Sequence, residues 1–364
     1  MDRQDAYRSW EANFSHQSRL PYYASPPPMI QSSSTAVKTP TSGIQRPQVN
    51  VYSRPDTNGG RIQTENRGDH RRVGSQSIGP PSTMTNSEVN LHLARLFLKK
   101  GIDIGRAERL GAGRYSKVVT ARQHKSDGAR TIALKVINTK KVTKEFAKKF
   151  LPREIACWRQ LDHPHLVRIL GHYEAMDYVF LAMEYGDRGD MLRFVQKNGP
   201  IAEDLARRWL SQILLGVGHM HSMRMTHRDL KLENIVCFSD GTVKVADFGF
   251  ARMMHNTSLS DTYCGSKSYS APEILSGRPY NPFKSDVWSI GVISFIMVTD
   301  TMPFREKQHN SQIVESQKFR RYSYPSKLRL STVLRSSIDQ MLNFEPSTRP
   351  SIQQCLRLPF FQRL

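Results

Sequence analysis

The hydrophobic pattern of the chain changes period at Tyr185, and this change narrows the folds it can adopt. Upstream, segments rich in β-branched and aromatic residues predict strands over Lys117–Gln123, Thr131–Ile137 and Tyr178–Met183, with a helical stretch at about Pro152–Leu161. Downstream, Leu205, Trp209, Ile213, Val217 and Met220 recur every three or four residues within Ile201–Ser222, which puts them on one helix face. Ser285–Val298 is apolar nearly all round and predicts a buried core helix; Val333–Leu342 and Ser351–Leu356 predict short terminal helices. A small β-rich part followed by a larger helical part implies an α+β chain of two lobes, with a cleft between them as the natural ligand site. No internal repeat is present.

The 364 residues are 38% apolar and 23% charged, enough to bury a core and to exclude a wholly disordered chain. Cys157, Cys237, Cys264 and Cys355 form no C-x-x-C pair, which argues against a structural zinc site or a disulfide scaffold. The opening residues lack the apolar core of a secretory signal, and the longest nearly apolar run, Val287–Val298, falls short of the ~18 residues of a membrane span. A soluble, cytoplasmic protein with access to the nucleus is the expectation.

Residues 1–88 are rich in Ser, Pro, Gln, Asn, Arg and Thr and sustain no period, so a disordered arm is expected there. Residues 89–101 read as a lead-in, and residues 102–364 as the folded domain. Residues 1–94 hold 10 Lys/Arg and 7 Asp/Glu, net +3, which leaves 43 and 25, net +18, on residues 95–364. The basic excess therefore sits on the part that folds. It is either a solvated face or an attraction for acidic partners.

Five short segments carry chemistry. In Leu110-Gly111-Ala112-Gly113-Arg114-Tyr115-Ser116-Lys117-Val118, the two glycines let a backbone turn approach phosphates, although alone the segment reads equally well as a turn. Ser116 replaces the third glycine of G-x-G-x-x-G, and no helix signal follows, which argues against a dinucleotide-binding βαβ unit. Lys135 lies among apolar strand residues and needs a partner if buried; Glu154 in the next helical stretch can supply one. His227-Arg228-Asp229-Leu230-Lys231-Leu232-Glu233-Asn234 gathers a carboxylate that can take a hydroxyl proton and an amide oxygen suited to magnesium. Asp247-Phe248-Gly249 adds a second hard oxygen donor, and Ala271-Pro272-Glu273 closes a Ser/Thr/Tyr-rich segment. Each alone is equally a cap, a turn or a surface residue.

In this order and spacing the segments resemble the eukaryotic protein kinases: Gly-rich loop, A-x-K strand, catalytic loop, DFG and APE. Lys231, two residues after Asp229, resembles the serine/threonine rather than the tyrosine kinases. The closer similarity is to the calcium/calmodulin-kinase-like group. Within it, Lys149–Glu154, Asp247–Ala251 and Cys264–Ser266 resemble the testis-specific serine/threonine kinases.

The resemblance implies the bilobal protein kinase fold, with an N-lobe over 102–183, a hinge over 184–186 and a C-lobe over 187–364. It implies ATP and Mg²⁺, and roles taken from the family's phosphoryl-transfer template rather than from spacing. Asp229 is expected to orient the substrate hydroxyl and take its proton, and Lys231 to neutralise the moving phosphoryl group. Lys135, paired with Glu154, is expected to hold the α/β-phosphates, and Asn234 and Asp247 the metal. Gly111, Ala112, Gly113, Arg114, Tyr115, Ser116 and Lys117 would cover the phosphates. Leu110, Val118 and Ala133 would roof the adenine, Met183 would be the gatekeeper, and Glu184 to Gly186 would meet the adenine edge. Asp190 is expected near the ribose or a substrate arginine.

Thr262 matches an activating phosphosite, with an upstream activating kinase as its expected partner and Arg228 and Arg252 as its phosphate clamp. Ser266 is expected to bond Asp229 and Lys231, and Arg349 to pair with Glu273. Glu233 implies a preference for arginine upstream of the phosphorylated residue, and Arg72-Val73-Gly74-Ser75 matches that pattern. Protein substrates, a monomeric catalytic domain, no direct Ca²⁺–calmodulin control and a setting in male germ-cell differentiation complete the expectation. The alternatives are a kinase-fold scaffold with little activity and, on charge alone, a nucleic-acid binder.

Overall fold

The computed structural model describes residues 94–112, 116–254, 259–262, 264–305 and 308–362. The arm expected over 1–88, Ser75, the loop residues Gly113, Arg114 and Tyr115, and Thr257, Ser258 and Tyr263 lie outside them.

The first lobe is an antiparallel sheet. Its strands are β1 (Ile102–Asp103), β2 (Arg109–Ala112), β3 (Ser116–Lys125), β4 (Gly128–Asn138), β5 (Ile169–Ala175) and β6 (Tyr178–Glu184). The order is β1-β3-β4-β6-β5, with β2 also paired to β3. The three strands expected from sequence are β3, β4 and β6, each slightly longer than its apolar signal. The other three carry weaker signals: β5 reads ILGHYEA and buries no residue fully, so pairing with β6 defines it.

Alternation along the strands separates two faces. Ile132, Leu134, Val136, Phe180 and Ala182 point to the outer face, where Phe97 stacks edge-on to Phe180 and Tyr173 at 4.6 and 5.6 Å. The packed lobe thus reaches back to Phe97, inside the segment read as a lead-in. The inner face carries Ala133, Val179, Leu181 and Met183 and joins the main core. There it meets α1 (Leu151–Gln160), which a π-helical turn, Phe146–Phe150, precedes.

The second lobe is helical: α2 (Met191–Asn198), α3 (Glu203–Ser222), α4 (Pro272–Leu275), α5 (Pro282–Thr299), α6 (Asn310–Lys318), α7 (Thr332–Met341), α8 (Ile352–Leu356) and α9 (Pro359–Gln362). Leu205, Trp209, Ile213, Val217 and Met220 of α3 are all buried, as their spacing requires. α5 is the helix expected to be apolar all round, and its Val287, Trp288, Ile290, Val292 and Ile293 are fully buried. Asn281 caps its N-terminus through the Phe283 N–H. Ser351 and Gln354 close a capping box on α8. Between α3 and α4 lie the short strands β7 (Met225–Thr226), β8 (Ile235–Cys237), β9 (Val243–Val245) and β10 (Arg252–Met253), paired β7 with β10 and β8 with β9. These ladders hold the loops that carry Asp229, Asn234 and Asp247. Among the described residues no helix is long and apolar enough to cross a membrane.

Candidate active site

Strand register assembles the first wall of the cleft. Val118 stands opposite Lys135, and Lys135 opposite Leu181; one step along, Thr120, Ala133 and Met183 form the next row. Residues directly opposite in an antiparallel pair share a face. Val118, Ala133, Lys135 and Met183 therefore project to the same side, and Leu110 packs partly buried against that core. β6 ends at Glu184, whose carboxylate takes Lys244 Nζ at 2.9 Å on both oxygens and the Arg168 N–H at 2.9 Å. Gly186 follows, where a Cβ would lie 2.0 Å from Val236 Cγ1. Only glycine lets the chain pass β8 so closely. Asp190 caps α2 through the Arg193 N–H at 2.9 Å, and Arg193 Nη2 reaches the Leu110 carbonyl at 3.3 Å.

Lys135 Nζ bonds Asp247 Oδ1 at 2.7 Å and lies 3.7 Å from Glu154 Oε1. The second contact is an ion pair without a hydrogen bond. Burial alone would lower the Lys135 pKa, but the carboxylates of Asp247 and Glu154 hold it above the ordinary value. Burial raises that of Glu154 despite Lys135. For Asp247 burial acts upward too, but Lys135 prevails and holds the carboxyl below its usual range, and the Lys231 charge is close enough to add to the effect.

The second wall is the loop after β7. Asp229 Oδ2 takes Lys231 Nζ at 2.8 Å, and Oδ1 accepts the Ser266 N–H and hydroxyl at 2.9 and 3.0 Å. Lys231 Nζ also bonds Ser266 Oγ at 3.1 Å, so Ser266 joins both groups as expected. Asn234 Nδ2 donates to the Asp229 carbonyl at 2.8 Å.

Two residues here hold left-handed backbone without being glycine, Arg228 at φ 66° and Asp247 at φ 61°. Such geometry requires external support. Asp286 of α5 supplies it for the first: its carboxylate, 1% exposed, accepts the N–H groups of His227 and Arg228 at 2.9 Å each and His221 Nε2 at 2.9 Å. Burial opposes its ionisation, yet the His221 bond and charge hold its pKa below the usual value. His227 Nε2 bonds the Ala246 carbonyl at 3.0 Å and so ties this loop to the one bearing Asp247.

This is a cleft in which one lobe's lysine meets the other lobe's aspartate, beside a second aspartate held by lysine, serine and asparagine. The protein kinase domain profile matches residues 105–361. The chain belongs to the protein kinase family. Human testis-specific serine/threonine-protein kinase 4 is 37% identical over 258 residues, 66% of this chain and 77% of that protein. Mouse testis-specific serine/threonine-protein kinase 1 is 36% identical over 253 residues, 68% of each chain. An Arabidopsis thaliana SNF1-related protein kinase catalytic subunit, KIN12, is 35% identical over 252 residues, 69% of this chain and 50% of that one.

In this kinase the described part of the segment after Asp247 bonds to the catalytic loop and to Tyr280. Thr262 is exposed; its carbonyl accepts the Tyr280 hydroxyl at 3.0 Å and its N–H faces Ser260 Oγ at 3.3 Å. Arg228 Nε bonds the Phe250 carbonyl at 2.8 Å, while its buried Nη1 has no partner among the described residues. Arg252 is exposed on β10. At Gly265 (φ +91°) a Cβ would stand 2.5 Å from the Arg228 carbonyl oxygen, so glycine is required for Ser266 to reach Asp229. Arg349 pairs with Glu273 at 2.8 and 3.1 Å, as expected. Tyr269 Oη reaches Glu233 Oε2 at 3.4 Å. The sequence reading missed Asp286 and Lys244. Asp286, the one charged residue within the apolar run Ser285–Val298, carried an available signal; nothing local singles out Lys244.

Proposed function

We propose that Asp229, Lys231, Asn234, Lys135, Glu154 and Asp247 transfer the γ-phosphoryl group of ATP to a serine or threonine hydroxyl of a protein substrate. The observation that carries this is the locking of Asp229 to Lys231 and Ser266, with Lys135 of the other lobe on Asp247 at 2.7 Å. The substrate oxygen bonds to phosphorus, ADP leaves, and Asp229 accepts the hydroxyl proton. Lys231 offsets charge on the phosphoryl oxygens, and Lys135, held by two carboxylates, binds the phosphates that remain with ADP. Val118, Ala133, Met183 and Leu110 supply an apolar surface for adenine, with backbone groups from Glu184 to Gly186 at its edge. The glycine-rich residues Gly111 to Lys117 would lie over the phosphates.

The donor set fits magnesium. Asn234 donates its amide N–H groups to Asp229, which leaves Oδ1 as a hard donor, and its main-chain carbonyl takes the Ala246 N–H at 2.8 Å, which ties it to the segment bearing the Asp247 carboxylate. Bound there, the ion would neutralise phosphate charge. The intact set favours an active enzyme over a scaffold.

Phosphorylation of Thr262 would order its segment through the unpartnered Arg228 Nη1 together with Arg252. Glu233 supports a preference for arginine upstream of the target. The names of the relatives support a role in male germ cells. The unpaired cysteines fit a reducing compartment such as the cytoplasm.

The test is phosphate transfer from radiolabelled Mg-ATP to an Arg-x-x-Ser peptide by wild type and Asp229→Asn. Wild type is expected to label the peptide and the variant to lose about 100- to 10,000-fold in kcat with folding intact. Equal transfer by both would overturn the assignment.

A further inference from the structure

The net +18 on residues 95–364 has no part in the chemistry above. Between Glu315 and Asp339 the chain holds six Lys/Arg and no acid, more than any other acid-free stretch of that region. Both flanking acids are engaged. Glu315 Oε1 takes Arg321 Nη2 at 2.8 Å, and Asp339 Oδ1 accepts the hydroxyls of Tyr322 and Tyr324 at 2.9 and 2.7 Å. Lys318, Arg320, Arg321, Lys327 and Arg329 are exposed, and Phe319, between Lys318 and Arg320 in the chain, is 60% exposed. The Lys318 ammonium and the Arg321 guanidinium lie over its ring at 5.7 and 5.4 Å. Cations gathered without free counter-charges repel one another, and an anionic partner relieves that repulsion.

The position of this surface points to the partner. Gln317, buried one residue before Lys318, donates to the Ser270 carbonyl at 3.1 Å; Ser270 Oγ bonds the Ser266 carbonyl at 3.1 Å; Ser266 bonds Asp229. Lys267 Nζ also reaches the Gln308 carbonyl, just before α6, at 2.8 Å. A short chain of contacts thus joins the basic surface to the carboxylate assigned to the substrate hydroxyl.

We propose that the exposed, acid-free stretch from Lys318 to Arg329 docks an acidic segment of the protein substrate, separate from the residues around the phosphorylated hydroxyl. This rests on the kinase reading above. Aspartate and glutamate carboxylates pair with the lysines and arginines, and the Phe319 ring holds the Lys318 and Arg321 head groups beside one another. A bilayer would need more inserted apolar surface than one ring that two cations already overlie. The same cations occupy ring surface on which a nucleic-acid base would stack.

The test uses the full chain and two peptides: an Arg-x-x-Ser acceptor, and the same acceptor joined by a flexible Gly/Ser linker to a glutamate-rich segment with one leucine. At low salt the tailed peptide is expected to show a KM at least about tenfold lower at equal kcat. Lys318→Glu/Lys327→Glu should abolish that difference while leaving kcat and the KM of the short peptide unchanged. Phe319→Ala should reduce the difference, and Lys125→Glu, an exposed lysine of β3, should not alter it. Fluorescence anisotropy of the labelled glutamate-rich segment reads docking without catalysis, so loss of all transfer with binding intact would count against the kinase reading alone. Equal KM for the two peptides with no patch-dependent anisotropy overturns the proposal. So does patch-dependent binding of phosphatidylserine vesicles or polyuridylate without binding of the acidic peptide.

Discussion

Arg228 shows how much one residue can link. Its left-handed backbone is held by Asp286, its carbonyl leaves room only for Gly265, and its Nε grips Phe250. The buried Nη1 left over is a donor that a phosphate of about −2 charge would satisfy. Thr262→Ala removes the hydroxyl that would carry that phosphate. The expected result is a fall in kcat of about tenfold, or ~1.4 kcal/mol of barrier, for enzyme incubated with its activator. Activity of wild type and variant, before and after phosphatase treatment, checks it; unchanged activity in the variant would remove Thr262 from regulation.

At the scale of elements, α5 matters for what it presents as well as for what it buries. Its apolar residues fill the core, and Asp286 turns one carboxylate toward the loop of Asp229. Asp286→Asn keeps the size but removes the charge and one of the acceptor oxygens serving His221, His227 and Arg228. Lost charge-assisted bonds at a buried site cost about 1.5–3 kcal/mol. The variant should melt several degrees lower and lose kcat, with KM for ATP nearly unchanged. Calorimetry and steady-state kinetics on the same preparation check this. A variant equally active and equally stable would show that the loop holds its geometry without the helix. Register acts on the same scale in the sheet: a slip of one residue between β3 and β4 would turn Lys135 to the outer face among Phe97 and Phe180.

For the molecule as a whole, a buried ion pair and a partly buried imidazole cluster predict its stability. Arg349, 1% exposed, bonds Glu273 and the carbonyls of Asn343, Lys284 and Phe344. Arg349→Ala leaves Glu273 buried without its counter-charge, so a loss of about 3–5 kcal/mol is expected. The melting temperature should drop by roughly 10 °C. Thermal unfolding checks it; a shift of a degree or less would assign the pair no weight.

The second feature is a cluster of three imidazoles, in which His163 stacks on His219 at 5.1 Å and meets His165 at 5.5 Å. Burial, then the charges of His165 and His219, push the His163 pKa down from 6.5 to about 4. The unfolded chain therefore binds a proton that the folded chain refuses between those values. Stability should fall as pH drops from 6.5 toward 4. His163→Asn keeps an acceptor for the His165 N–H, now 3.1 Å from Nδ1, and should flatten that slope. Melting curves from pH 7 to 4.5 would read it, and an identical slope in both proteins would exclude His163 as the source.

The sequence by itself determined the kinds of groups and the elements that bear them. Helices α3 and α5 were legible because burial on one face, or all round, imposes a period on every residue. Lys135, Glu154, Asp229, Asn234 and Asp247 were legible because their chemistry is written in residue type and spacing. Strand β5 was not, since its residues satisfy no period and their partner, β6, fixes their conformation. Tertiary structure alone decided that Lys135 lies at 2.7 Å from Asp247, 112 residues away, and at 3.7 Å from Glu154. It alone brought Asp286 beneath Arg228, Lys244 to Glu184, and Gln317, at the start of the acid-free stretch, to Ser270. The physical reason is that spacing along a chain constrains only near neighbours, whereas distances between remote side chains come from the packing of whole elements against a shared core.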